Sequence, residues 1–154
     1  MPTQEIGIIR YEEKFQDQVL AVWERSVLAT HHFLDPTDFN SIKEIVHTIN
    51  FTAFQVYCLV VDHKVAGFVG VADRKVEMLF LDPLFFGRGF GKKLMDFAMI
   101  ELDANKVDVN EQNLNSVRFY EKLGFEPYER TEKDDQGKNY PLLRMQLTRK
   151  TSTY

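Results

Sequence analysis

The sequence predicts an α/β fold of the α+β kind, in which a mixed β-sheet carries packed helices. Three observations support this prediction. Apolar β-rich runs alternate with segments whose apolar residues recur at helical spacing. These segments follow the order β-α-α-β-β-β-α-β-α-β-β. The chain of 154 residues is 44% hydrophobic and 13% aromatic, which suits one folded unit with a single core. We therefore expect a single domain over 1–154, with a core of about 6–147 and a tail over 148–154.

The first predicted strand and two helices occupy the beginning of the chain. Residues 6–11 alternate weakly between apolar and polar, as in a strand. Apolar residues at helical spacing then predict a helix over about 12–29, and a break in this spacing predicts a loop over 30–36. A second amphipathic helix follows. Ser41 and Glu44 have the spacing of a capping box at its start.

The middle of the chain predicts a hairpin. Residues 54–61 and 65–72 are rich in β-forming residues and are separated by a short turn sequence, Asp-His-Lys. Asn113 is suited to the N-cap of the last predicted helix, and Gly124 to its C-terminal end. The remaining predicted elements are strands over 76–81 and 106–110, a helix over 113–123, and strands over 125–130 and 140–147.

A glycine-rich turn joins the strand over 76–81 to the next helix. Gly87, Gly89 and Gly91 alternate with larger residues directly before that helix. Glycine tolerates positive φ and lets bare backbone N–H groups approach a ligand. The first turn of a helix adds unpaired N–H donors and a partial positive charge. The turn is therefore predicted to bind phosphate.

Two known glycine motifs do not fit this turn. A P-loop would need glycine at Phe86 and Ser or Thr at Lys93. A dinucleotide-binding fingerprint counted from Gly87 or Gly89 needs its last glycine at Lys92 or Leu94. Both counts fail, so a nucleotide-binding protein is the less favoured prediction.

A third pattern fits. Phe86-Gly87-Arg88-Gly89-Phe90-Gly91 resembles the acyl-CoA signature Gln/Arg-x-x-Gly-x-Gly/Ala of the GNAT superfamily of N-acyltransferases. Both required glycines are present, whereas Phe86 stands where Gln or Arg is usual. Backbone N–H contacts need no particular side chain, and Arg88 or Lys92 would partly replace the missing charge.

Other stretches extend the resemblance over nearly all of 6–147. Residues 79–83 resemble the family's fourth strand, along which pantetheine pairs like an added strand. Residues 113–125 resemble the downstream motif, in which Asn and Tyr face the cofactor. Within the superfamily, residues 25–31, 110–113 and 134–143 are similar to a small bacterial subgroup typified by the YjaB acetyltransferase. The resemblance implies a mostly antiparallel central sheet of about 6–7 strands with helices on both faces.

The resemblance also implies the cofactor and its site. Acetyl-CoA would be the acyl donor, with no metal. The residues expected to bind it are Leu79, Phe80, Leu81, Phe86, Gly87, Arg88, Gly89, Phe90, Gly91, Lys92, Asn113, Ser116 and Tyr120. Asn113 would combine this contact with its role as a helix cap.

Acyl transfer to an amine needs a neutral amine, a stabilised oxyanion and a protonated leaving thiolate. Glu77 matches the position of a general base in some family members, and partial burial on an apolar strand would raise its pKa. The alternative is that it points outward and pairs with Lys75 or Arg74. Tyr120 matches the family's general acid; the alternative is an ordinary core tyrosine. Backbone N–H groups near Leu81, where parallel strands splay in this family, would polarise the thioester carbonyl.

Cys58 argues against a covalent acyl-enzyme. It lies inside an apolar run with no base beside it in the sequence, so we expect it to be buried and inert. Direct attack by the amine in a ternary complex follows. The four histidines have no metal-ligand spacing, so no metal site is expected.

The acceptor is expected to be a small-molecule amine or a peptide amine. Its candidate contacts are Trp23, His31, His32, Phe33 and Asn110. The histidines and Phe33 are equally compatible with a solvated loop that carries an apolar anchor. Trp23 also fits the apolar stripe of the first helix and is most simply a core residue.

Composition limits the remaining partners. A net charge of −4 and a pI near 5.6 argue against a general nucleic-acid binder. A single cysteine suits a reducing compartment, and neither a membrane-spanning run nor a signal sequence is present, so the cytoplasm is expected. A monomer or homodimer is typical of the resembled family. The alternative function is a non-catalytic acyl-CoA-binding sensor or docking domain of the same fold.

Overall fold

The structure is a computed structural model that describes residues 4–148. The described elements follow the predicted order. They are β1 (Ile6–Arg10), α1 (Gln16–Thr30), α2 (Pro36–Val46), β2 (Gln55–Val61), β3 (Lys64–Ala72), β4 (Lys75–Leu81), α3 (Phe90–Glu101), β5 (Lys106–Asn110), α4 (Leu114–Lys122), β6 (Phe125–Thr131) and β7 (Leu142–Leu147). Two short 3₁₀ turns lie at Glu13–Phe15 and Pro83–Phe85. Of the predicted tail, residues 149–154 lie outside the described part.

The seven strands form one sheet in the order β1-β2-β3-β4-β5-β7-β6. Neighbouring strands run antiparallel, except β4 and β5, which are parallel. The predicted hairpin joins β2 to β3 through Asp62 and His63, both at positive φ, as in a tight two-residue turn. The predicted mixed, mostly antiparallel sheet is therefore confirmed.

The helices cover both faces of the sheet, as expected. On one face, α1 and α2 bury Val19, Val22 and Trp23 against strand residues such as Phe68. On the other, α3 and α4 bury apolar residues against the opposite side of the same strands. Because successive strand residues point to opposite faces, a buried strand such as β3 supplies both cores, and it reads as a continuous apolar run.

The predicted start of the second helix was wrong. The helix begins at Pro36, and the Asp35 side chain caps it by accepting a hydrogen bond from the Thr37 amide at 2.8 Å. Ser41 lies inside the helix, where its hydroxyl donates to the Thr37 carbonyl at 3.1 Å. Asp at the N-cap followed by Pro at the first helical position is a stronger start signal than the Ser41–Glu44 spacing.

A β-bulge interrupts β4 at the centre of the sheet. Gly70 pairs with Met78 and Val71 pairs with Val76, so Glu77 is an extra residue in the ladder. The parallel pairing with β5 ends at the same point, since Val76 with Val107 is its last pair. Beyond this pair β4 and β5 separate and leave a cleft between them.

Candidate active site

The glycine turn presents a row of backbone amides. Gly87 and Gly89 have φ values of +76° and +77°, and Gly89 is the left-handed N-cap of α3. Among the described residues, no amide from 87 to 92 donates a hydrogen bond to a protein acceptor. The Phe86 amide is engaged, donating to the Pro83 carbonyl at 3.2 Å. The amides at the helix N-terminus therefore remain available for an anion, as the sequence predicted.

A partly buried ion pair fixes the chain just before this turn. Asp82 is 5% exposed, and one of its carboxylate oxygens accepts two hydrogen bonds from the Arg25 guanidinium on α1, at 2.5 and 3.1 Å. Its other oxygen accepts from the Leu84 amide at 3.1 Å. This contact links α1 to the end of β4 and orients the segment that leads into the glycines.

Three adjoining cavities form one groove from the glycine turn to the separated strands. The turn cavity, about 440 Å³, lies between the glycines and α4 and is lined by Gly87, Gly89, Gly91, Lys92 and Phe119, among others. The middle cavity lies beside Leu81, Phe86 and His31. The splay cavity, about 220 Å³, lies between β4 and β5. Asn113 and Ser116 line all three cavities, so the groove is continuous.

The groove brings together the predicted cofactor-binding residues, with one exception. Arg88 does not line it. Its guanidinium donates to Gln4 and lies over the rings of Phe85 and Phe90, at 5.4 and 5.0 Å. The expectation that Arg88 would replace the missing charge at Phe86 is therefore wrong for its side chain. Lys92 does line the turn cavity, and its ammonium pairs with Asp96 one helical turn later.

The start of α4 contributes the far wall of the groove. The Asn113 side chain accepts a hydrogen bond from the Ser116 amide at 3.3 Å, which confirms its predicted N-cap position. Capping places Asn113 and Ser116 at the cleft and holds the first turn of the helix beside β4. Tyr120 lies two turns into the same helix and lines the splay cavity.

Tyr120 combines core packing with access to the cleft. The residue is 7% exposed, and its ring packs edge-on against Phe119 and Phe125. Burial raises its pKa well above the usual range for tyrosine, so the phenol is protonated at neutral pH. It makes no side-chain hydrogen bond, and no buried side-chain polar atom within residues 4–148 lacks a partner. Its hydroxyl must therefore reach the cavity surface.

Glu77 lines the splay cavity and is exposed, so the partial burial is wrong and the alternative, that the side chain points outward, is confirmed. The bulge is the physical reason, because an extra residue turns its side chain away from both cores. Glu77 forms no ion pair within the described part of the chain, so the expected pairing with Lys75 or Arg74 is also absent. Lys75 instead pairs with Asp108 at 2.7 Å.

Asp108 is the second carboxylate lining the splay cavity. It is held between two cations, the Lys75 ammonium and the Arg144 guanidinium, both at 2.7 Å. Glu77 is therefore the carboxylate in this cavity that is free of a cation partner in residues 4–148.

The acceptor-pocket candidates separate into two groups. His31 and Asn110 line the splay cavity. Trp23 is 3% exposed and stacks on Phe39 in the core, so its assignment to the acceptor pocket is wrong; it belongs to the apolar stripe of α1. His32 is exposed and lines none of the three cavities. Phe33 lies behind His31 and packs against its ring.

Cys58 is buried within β2, where burial raises the pKa of its thiol to about 12. A thiol in this state is protonated and unreactive, as expected. Within residues 4–148, no group of three or more potential ligands is arranged to hold a metal ion. None of the helices there has the length and apolar character needed to cross a membrane.

A strand-to-helix glycine turn, a bulged β4 and a cleft between splayed parallel strands therefore occur together. A family profile described as "Acetyltransferase (GNAT) domain" matches residues 24–149. The chain belongs to the GNAT acetyltransferase family. The chain is also 35% identical over 140 residues to peptidyl-lysine N-acetyltransferase YjaB of Salmonella typhimurium, covering 91% of this chain and 97% of that protein.

Further similarities agree with membership of the GNAT family. YjaB of Escherichia coli is 34% identical over 140 residues, covering 91% of this chain and 95% of that protein. The solution structure of its apo form matches with a TM-score of 0.85 and 32% identity, over 94% of this chain and 98% of that one. PaiA N-acetyltransferase of Thermoplasma acidophilum, solved in complex with coenzyme A, has the same fold with a TM-score of 0.71 at 16% identity, over 93% and 99%.

Sequence reasoning missed several residues of this GNAT cleft, among them Phe119 and Thr30. Phe119 lines the turn and middle cavities. The hydroxyl of Thr30, the last residue of α1, lies within hydrogen-bond distance of Nδ1 of His31, at 2.8 Å. Phe119 stands directly before Tyr120, and adjacent aromatic residues near a helix end were a signal for it. Thr30 carried no comparable signal, because a threonine at a helix end is common.

Proposed function

We propose that this GNAT protein transfers an acetyl group from acetyl-CoA to a primary amine by direct attack within a ternary complex. The observation that carries the proposal is the continuous groove. It begins at free amides of the glycine turn and ends at the splayed strands beside Tyr120. Amides at a helix N-terminus suit a pyrophosphate, and the gap between β4 and β5 suits an extended pantetheine arm.

In the proposed reaction the amine nitrogen forms a bond to the acetyl carbonyl carbon, and the carbon–sulfur bond breaks. The amine proton passes to Glu77, the exposed carboxylate of the splay cavity. The Tyr120 hydroxyl donates its proton to the departing sulfur, giving a free thiol and an amide. A phenol kept neutral by burial is the form able to donate.

Peptidyl-lysine is the acceptor we propose to test before others. The curated YjaB relatives are named peptidyl-lysine N-acetyltransferases, and they match nearly the whole chain. The unpaired Glu77 at the cleft adds a negative charge that favours an amine-bearing acceptor. We further propose a single domain that acts in the cytoplasm as a monomer or homodimer.

Thermal shift and thiol release test this proposal together. Acetyl-CoA is expected to raise the melting temperature, whereas ATP and NAD are not, because ligands that bind only the folded state stabilise it. Thiol release from acetyl-CoA is then measured with an N-terminally blocked lysine peptide and with small amines. Stabilisation by ATP or NAD and not by acetyl-CoA would contradict the assignment of acetyl-CoA as the acyl donor. Stabilisation by acetyl-CoA without release to any amine would instead support a binding module.

A further inference from the structure

His31 occupies the junction of two cavities. It follows the last residue of α1 and lines both the splay cavity and the middle cavity. Tyr120, Glu77 and Asn110 line the first of these, and Phe86 and Gly91 line the second. The imidazole therefore lies where the end of α1 meets the groove, and it shares the splay cavity with Glu77 and Tyr120.

The hydrogen bonds of the Thr30 hydroxyl determine the tautomer of the His31 ring. The Thr30 hydroxyl has one proton and donates it to the Ser26 carbonyl at 2.8 Å. The same oxygen lies 2.8 Å from Nδ1 of His31. Both contacts are hydrogen bonds only when Nδ1 carries the ring proton and donates to the threonine oxygen. Nε2 is then left with a lone pair and no proton.

Aromatic packing also holds the ring in place. The Phe33 ring lies 5.3 Å from His31 and 6.1 Å from Tyr140, measured between ring centroids. The Tyr140 hydroxyl donates to Asp38 at 2.6 Å and accepts from the Asp35 amide at 3.0 Å. These contacts tie the loop after α1 to the segment before β7. His31 is thus oriented in advance of any ligand.

The charge state of His31 suits a hydrogen-bond acceptor. Burial, with a smaller effect from His32, lowers its pKa to about 4, so the ring is neutral at neutral pH. The other ionisable groups that line the splay cavity are Glu77, Asp108 and Tyr120. Asp108 is already paired with two cations. A neutral imidazole does not repel an ammonium group that enters beside it.

We propose that Nε2 of His31 accepts a hydrogen bond from the acceptor amine and so directs the nitrogen lone pair towards the acetyl carbon. This inference rests on the proposed function, since it needs an amine acceptor in the splay cavity. It assigns His31 a role in binding and orienting the acceptor, with proton removal left to Glu77. Acceptor recognition then depends on the loop between α1 and α2 as well as on the sheet.

The test compares His31→Leu, His31→Gln and the neighbouring control His32→Leu. Thiol release is measured with acetyl-CoA and an N-terminally blocked lysine peptide. His31→Leu is expected to raise KM for the peptide about tenfold, the usual loss for one hydrogen bond to an amine. His31→Gln restores most of this loss because its amide oxygen can accept the bond. His32→Leu has the wild-type KM, and all three keep the acetyl-CoA thermal shift.

A wild-type KM in His31→Leu, or an equal rise in His32→Leu, would overturn the assignment while leaving the transferase proposal intact. An absence of thiol release by the wild-type protein with every amine would overturn both. Nitrogen NMR of the wild-type imidazole supplies a readout that does not need turnover or variants. At neutral pH we expect a protonated Nδ1 and a bare Nε2 for His31; the opposite tautomer would contradict the proposal.

Discussion

Val76 and Val107 form the last pair of the parallel ladder, and the bulge at Glu77 begins at the next residue. One extra residue therefore has two effects. It ends the pairing of β4 with β5, which opens the splay cavity, and it turns a carboxylate out of the sheet towards that cavity. β4 keeps its pairing with β3 beyond the bulge, so the cleft has a rigid wall on one side.

Substitution of Glu77 by Gln tests this carboxylate as the general base. The side chain is exposed and forms no ion pair within the described residues, so folding stability and the acetyl-CoA thermal shift should be unchanged. Loss of a general base is expected to lower kcat about a hundredfold. Steady-state kinetics at saturating acetyl-CoA provide the measurement. The control is Glu126→Gln, an exposed glutamate on β6. A normal kcat in Glu77→Gln would exclude it as the base.

Tyr120→Phe removes the proposed acid and little else. The hydroxyl makes no side-chain hydrogen bond in the described structure, and the ring packing on Phe119 and Phe125 is retained. We expect acetyl-CoA binding and melting temperature close to wild type, with kcat reduced by about two to three orders of magnitude. Binding calorimetry and thiol release separate the two quantities. Unchanged turnover would show that Tyr120 is a core residue and not the general acid.

Gly89 and Gly91 make a matched pair of alanine substitutions. Gly89 has positive φ, so Gly89→Ala strains the backbone by about 1–2 kcal/mol although the added Cβ has open space. It should lower the melting temperature and reduce the acetyl-CoA shift. At Gly91 the Cβ would meet Phe119 at an ordinary 3.5 Å, and Ala favours the helix by about 0.5–1 kcal/mol. Gly91→Ala should be at least as stable as wild type. A higher melting temperature for Gly89→Ala than for Gly91→Ala would contradict the proposed backbone strain at position 89.

Cys58 is expected to be dispensable for transfer. Its thiol is protonated and enclosed by the core, so an aromatic disulfide reagent at about pH 8 should react only when the protein unfolds. Cys58→Ala should lose some stability through the small cavity it creates but keep wild-type kcat. Mass spectrometry after incubation with acetyl-CoA should reveal no acetylated enzyme. A stable acetyl adduct on Cys58 would contradict direct transfer and would indicate a two-step mechanism through an acyl-enzyme.

The predictable part of this fold has local signals. Helical spacing, the β-rich runs and the Asn113 cap depend on residues close in sequence, and the structure reproduces them. The early start of α2 was also predictable from the sequence, although it was missed, since Asp35-Pro36 is a local helix-start signal. The glycine turn belongs to the same class, because positive φ at Gly87 and Gly89 is a local requirement.

The features that the sequence did not predict depend on distant partners. The bulge at Glu77 arises from how β4 pairs with Gly70 and Val71, so the sequence left open whether this carboxylate is partly buried or points outward. The side chain of Arg88 is drawn away from the groove by Gln4, far from it in the sequence. Both outcomes needed a tertiary contact that spacing does not encode. The burial of Trp23, in contrast, matches the apolar stripe that its helical spacing predicted.

The pKa of His31 predicts how stability depends on pH. The folded value is about 4, below the usual 6.5, because burial and then His32 disfavour the charged ring. Between these values the unfolded chain binds more protons than the folded one, so stability is lost as pH falls. Replacing His31 by Gln removes this titration. The stability of wild type relative to His31→Gln should therefore fall by about 1–2 kcal/mol from about pH 7 to about pH 5, measured by urea unfolding. A constant difference would mean that His31 titrates normally and that its ring is accessible to water in the folded protein.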